Sequence, residues 1–131
     1  MKFAQRDYLG KKVDIDQLQN MIENFFREEG FRTQSFKHPQ GYIVQSKKGG
    51  IFRTILAANR AYTITIDGTP SNFKIRIGVA DWLKQLKSDV AEPFFTNPMM
   101  AYLEVPEALW SYELEHQMWH YIETQVDLGI Q

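Results

Sequence analysis

Between Tyr62 and Val79 the chain alternates apolar and polar residues in two successive runs. The break between them is only long enough for a reversal of direction. Tyr62-Thr63-Ile64-Thr65-Ile66-Asp67 and Phe73-Lys74-Ile75-Arg76-Ile77-Gly78-Val79 both have the period of two that marks a strand with one face in a core. The intervening Gly68-Thr69-Pro70-Ser71-Asn72 has the composition of a turn. Parallel neighbours need a crossover of a dozen or more residues, so these two strands are antiparallel. Upstream, Phe31 to Lys37, Tyr42 to Lys48 and Ile51 to Ala57 read as three more strands, bounded by Pro39-Gln40-Gly41 and Lys48-Gly49-Gly50. The expectation is an antiparallel meander of about five strands, with Thr63, Thr65, Lys74 and Arg76 on its wet face.

Helical periodicity frames this sheet. Asp14 and Gln17 have the spacing of a capping box, and Ile15, Leu18, Met21, Ile22, Phe25 and Phe26 recur at helical intervals up to a stop at Gly30. The helix from Asp14 to Glu29 is expected to leave Asp16, Gln19, Glu23 and Glu28 solvated. From Asp81, Trp82, Leu83, Leu86 and Val90 share a face, and Pro93 is expected to end that helix. A last helix should run from near Pro106 to about Val126. The fold class is therefore α+β: an N-terminal helix, the meander, and one or two C-terminal helices packed on one sheet face. At 131 residues, 44% of them hydrophobic, residues 1–131 are expected to form a single domain.

Composition excludes whole classes of chemistry. Cysteine is absent, which rules out disulfides, thiolate zinc sites, iron–sulfur clusters and cysteine nucleophiles. Met1 to Asp7 hold no apolar run, so no signal peptide is expected, and no stretch reaches the roughly 18 apolar residues of a membrane span. A cytoplasmic location follows as the expectation. Net charge is −1 but segregated. Phe31 to Ala80 carries eight bases against Asp67 alone, whereas Asp81 to the end carries nine acids against Lys84 and Lys87.

Three stretches recur together in a known setting. Glu28-Glu29-Gly30-Phe31, Gly41-Tyr42-Ile43-Val44-Gln45, and Tyr62 to Ile66 leading to Ile77-Gly78 and Trp82 resemble a group of short bacterial and archaeal domains of unknown function. Some members of that group are joined to a zinc ribbon. The resemblance spans about Leu18 to Leu86 and implies the sheet topology but no activity, and it carries no functional residue across. Without cysteine this chain has no ribbon, and its C-terminal part is more acidic and less apolar than in that group.

Function has three candidate locations. The first is the apolar connection Phe94 to Leu103, in which Phe94, Phe95, Met99, Met100, Tyr102 and Leu103 could form a site between the sheet and the C-terminal helices. Its partner would be another protein, a second copy of the chain, or an apolar small molecule. The second is a polyanion- or nucleic-acid-binding sheet face built from Lys47, Arg53, Lys74 and Arg76. It ranks lower because the strand aromatics point inward, away from any base they could stack on. The third is the stripe Glu113, His116, His120 and Glu123, whose histidines at i and i+4 could chelate a divalent metal for a metal-dependent enzyme. Gln117 stands where a zinc-protease helix has its glutamate base, so this ranks last. No nucleophile elbow, phosphate loop or dinucleotide fingerprint is present, and nothing calls for a cofactor or for catalysis. His38, next to Pro39 at a turn, is expected to be solvated.

Overall fold

The computed structural model describes residues 2–48 and 59–128. The strand expected over Ile51 to Ala57, and Arg53 with it, lie outside the described residues. The elements are β1 (Phe3–Leu9), α1 (Ile15–Glu28), β2 (Arg32–His38), β3 (Gly41–Lys47), β4 (Arg60–Thr69), β5 (Asn72–Asp81), α2 (Ser88–Thr96), α3 (Pro98–Ala101), a 3₁₀ turn (Glu107–Leu109) and α4 (Tyr112–Asp127). All five strands pair antiparallel in the order β1-β5-β4-β3-β2. The α+β architecture is as the alternating runs imply.

The first helix shows why its sequence stops where it does. Asp14 accepts the Gln17 N–H at 3.1 Å and caps the start. At the other end Gly30 takes φ +87°, which costs glycine nothing and a side-chain-bearing residue about 1–2 kcal/mol. Its N–H reaches the Arg27 carbonyl and the Phe31 N–H reaches that of Phe26, both at 2.9 Å. The Phe26 and Phe31 rings meet edge to face at 5.4 Å, the apolar contact that accompanies this kind of C-cap. Gln19 and Glu23, expected in solvent, are buried instead. They face β2, where Glu23 accepts from Thr33 at 3.0 Å and from Arg27 at 2.8 Å, and Gln19 donates to Ser35 at 3.0 Å and to Glu23.

A strand precedes the first helix. Phe3–Leu9 adds itself to β5, with Tyr8 opposite Phe73 and Ala4 opposite Ile77. Its alternation is hidden because Arg6, between Ala4 and Tyr8, stays exposed, its guanidinium 4.9 Å over the Trp119 ring and ion-paired with Glu123.

Both faces of the sheet are covered, which corrects the expectation of helices on one face only. On one side Leu18, Ile22 and Phe26 of α1 and Leu114, Met118 and Ile122 of α4 meet Tyr62, Ile64, Ile66, Phe73, Ile75 and Ile77. On the other, Ala91, Phe94 and Phe95 of α2 and Tyr102 after α3 pack on Ile43 and Ala80, with Phe3 and Phe36 at the margin. Thr63 and Thr65 therefore have no exposed surface, and Arg76 retains only 6%.

The helix expected from Asp81 begins later, at Ser88, and does not end at Pro93. The backbone around Trp82 and Leu83 is committed to the sheet. Trp82 N–H bonds to the Asn59 carbonyl, Leu83 N–H to the Gln45 side chain at 2.8 Å, and the Leu83 carbonyl to Gln34 at 3.0 Å. Pro93 sits within α2, whose last turn closes by the Asn97 N–H on the Pro93 carbonyl at 2.8 Å while Phe94 and Phe95 anchor it. Near Pro106 the chain makes the 3₁₀ turn, and α4 starts only at Tyr112, capped by Ser111, whose hydroxyl oxygen accepts from the Leu114 N–H at 3.2 Å. Among the described residues no helix is long and apolar enough to cross a membrane.

Candidate functional site

The connector from Phe94 to Leu103 folds into a cap on the second sheet face. Phe94, Phe95 and Tyr102 turn inward and are buried. Tyr102 packs directly against β5 because residue 78 is glycine. A Cβ there would enter the tyrosine ring and sit 2.7 Å from the Lys2 carbonyl oxygen. The Tyr102 hydroxyl reaches Thr65 Oγ1 at 3.4 Å, and burial pushes its pKa well above the ordinary phenol value. Leu103 then donates its N–H to the Val79 carbonyl at 2.8 Å, continuing the line of β1 along β5. With the inward residues fixed, Met99 and Met100 project outward, 55% and 76% exposed.

His38 pins the other end of the cap. Against expectation it is buried, 4% exposed, and its ring stacks on Phe95 at 4.4 Å and 10°. The Gln40 backbone N–H donates to Nδ1 at 3.1 Å, which places the ring proton on Nε2. Nε2 in turn donates to Glu92 on α2 at 2.8 Å. Gln45 provides a third tie. Its amide donates to Thr63 Oγ1 at 3.0 Å and to the Asp81 carbonyl at 2.9 Å. Its oxygen accepts from Gln34 at 2.9 Å and from Leu83 N–H at 2.8 Å, so all four of its capacities are used. No sequence motif announces His38, Glu92, Gln34 or Gln45. Only the apolar run at 94–103, which has to cover something, hints that β2 and β3 have a second buried face.

The basic residues do not gather into one patch among the described residues. Arg76 donates to Asp67 at 3.3 Å and to Gln5 at 2.9 Å beneath the Phe3 ring. Lys74 is half-buried, with Asp7 opposite it on β1 and Asp67 opposite it on β4. Lys47 lies apart, at the β2–β3 end of the sheet, and Arg53 is outside the described residues.

The histidine stripe occupies the outer side of α4. His116, His120, Glu113 and Glu123 are exposed. Glu123 is engaged by Arg6, and Glu113 accepts from Gln117 at 3.5 Å. Among the described residues no three His, Asp or Glu side chains gather in a way that could hold a metal ion. His120 instead borders a groove of about 420 Å³ between α1 and α4, floored by Phe25 and Tyr121.

No protein-family model matches the chain, and a search of curated proteins finds no relative.

Proposed function

We propose that this chain is a small cytoplasmic interaction module that engages a protein partner through the α2–α3 cap. A second copy of the chain is the simplest such partner. The observation that carries this reading is the pairing of exposed Met99 and Met100 with deeply seated neighbours. Exposed apolar side chains scattered on a surface need no explanation, but here two adjacent thioethers stand on a short turn fixed from both sides. Methionine adapts its unbranched chain to varied surfaces and is common where partners meet. Because Phe94, Phe95 and Tyr102 fill the space between cap and sheet, an outward contact surface is favoured over a ligand enclosed beneath it.

The test is sedimentation equilibrium of the native chain and of the Met99→Ser/Met100→Ser double variant over a broad concentration range. The expected result is reversible association of the native chain that the double variant loses, with both retaining the same thermal transition. A native chain that stays monomeric throughout removes the self-association form. If cross-linking from position 100 in cells then captures no other protein either, the reading is overturned.

A further inference from the structure

At the β2–β3 end of the sheet two cations converge on one aromatic ring. Arg32 and Lys47 are directly opposed in the β2–β3 register. The Lys47 ammonium lies 4.4 Å, and the Arg32 guanidinium carbon 5.7 Å, from the centroid of Trp82. Like charges placed opposite on adjacent strands repel, and the negative face of one indole compensates only part of that. Neither cation has an ion-pair partner among the described residues, whereas Lys2, Arg6, Lys11, Arg27, Lys37 and Arg76 each have one. The neighbouring segment 49–58 contains no acid, so it supplies no carboxylate either. Lys84, two residues beyond Trp82, is exposed and likewise has no ion pair among the described residues.

The backbone at and after Trp82 is tied to the strands that carry the cations and to Asn59. Two residues from Arg32 along β2, Gln34 bonds the Leu83 carbonyl at 3.0 Å. Two residues from Lys47 along β3, Gln45 bonds the Leu83 N–H at 2.8 Å. The Trp82 N–H is bonded to Asn59. Cations and aromatic thus form a positioned set at a sheet corner, separate from the methionine surface of the cap.

We infer that Arg32, Lys47 and Trp82 form a binding site for a phosphate group. A guanidinium fork presents paired donors to two phosphate oxygens, an ammonium adds a point charge, and a dianion between them relieves their mutual repulsion. The half-buried indole supplies an apolar wall for whatever the phosphate is attached to. Either a soluble phosphorylated compound or a lipid headgroup brings that chemistry.

The test is a titration of ¹⁵N-labelled full chain with inorganic phosphate at constant ionic strength, using chloride as the control, followed by a pull-down with phosphatidylcholine vesicles with and without phosphatidic acid. The expected result is a saturable shift of the Trp82 indole and Arg32 Nε resonances with phosphate but not chloride. Arg32→Gln and Lys47→Gln should each weaken it by about tenfold or more, the scale of a lost charge-assisted hydrogen bond. Unchanged Trp110 and Trp119 indole resonances would verify that the variants fold. A response to free phosphate without vesicle retention assigns a soluble ligand. Retention only by phosphatidic acid vesicles, lost in both variants, assigns the headgroup. Absence of both, or a phosphate response unchanged in Arg32→Gln and in Lys47→Gln, overturns the site.

Discussion

Gln45 carries more of this structure than its residue type suggests. A buried amide is tolerable only when its donors and acceptors are all met, and Gln45 meets them with Thr63, Asp81, Gln34 and Leu83. Gln45→Ala should cost about 2–4 kcal/mol, since it strands several buried partners at once, and urea titration of the variant would measure it. Tyr62 is the opposite case. Its hydroxyl is buried without a hydrogen-bond partner among the described residues. Tyr62→Phe should therefore be neutral or stabilising by up to about 1 kcal/mol in the same assay. Burial also pushes the Tyr62 pKa from 10.0 up to about 12. Above 10.0 the unfolded chain releases this proton while the folded chain keeps it. Stability is thus fully present below that value and declines as pH rises toward about 12. Alkaline denaturation curves should show the decline, and Tyr62→Phe should reduce it.

Among the elements, the extent of α1 was legible from its cap, its apolar spacing and Gly30, but the burial of Gln19 and Glu23 against β2 was not, because polar residues at helical spacing read as a wet face. The strand β1 was not legible. Arg6, between Ala4 and Tyr8, is exposed and directs its charge to Trp119 and Glu123, so Phe3–Leu9 shows no clean alternation. The late start of α2 was equally hidden, because side chains 34 and 45 claim the backbone of Leu83 across the sheet. The α2–α3 cap depends on close approach to β5 at Gly78. Gly78→Ala should destabilise by about 1–3 kcal/mol through overpacking against Tyr102 and the Lys2 carbonyl, read as a lowered melting temperature. Faster amide exchange at Leu103, but not at Leu18 or Ile22, would locate the damage on the cap.

For the whole molecule, one sheet serves two cores of unequal size. Among the described residues the α1–α4 side gathers twenty-one buried hydrophobic residues and the cap side six. The smaller core should open first. Native-state hydrogen exchange in rising denaturant should show Tyr102 and Leu103 exchanging through a lower-energy opening than Ile64 and Ile75. This asymmetry also explains what the strands could not disclose. Threonine and arginine read as wet residues on any strand, and the cap over the face of Thr63, Thr65 and Arg76 lies roughly fifteen to forty residues further along the chain. The candidate connector was legible as an apolar run, but its division into inward aromatics and outward methionines depends on a tertiary contact at a glycine. The three tryptophans are divided by the same sheet. Trp110 and Trp119 both donate their indole N–H to Glu115, at 2.7 Å and 2.9 Å, on the α4 side. Trp82 stands under Lys47 and Arg32 at the other face. The chain therefore contains two intrinsic fluorophore environments, one per layer. Comparing the native emission with that of Trp82→Phe would separate events in the cap layer from events around α4 without attaching a dye.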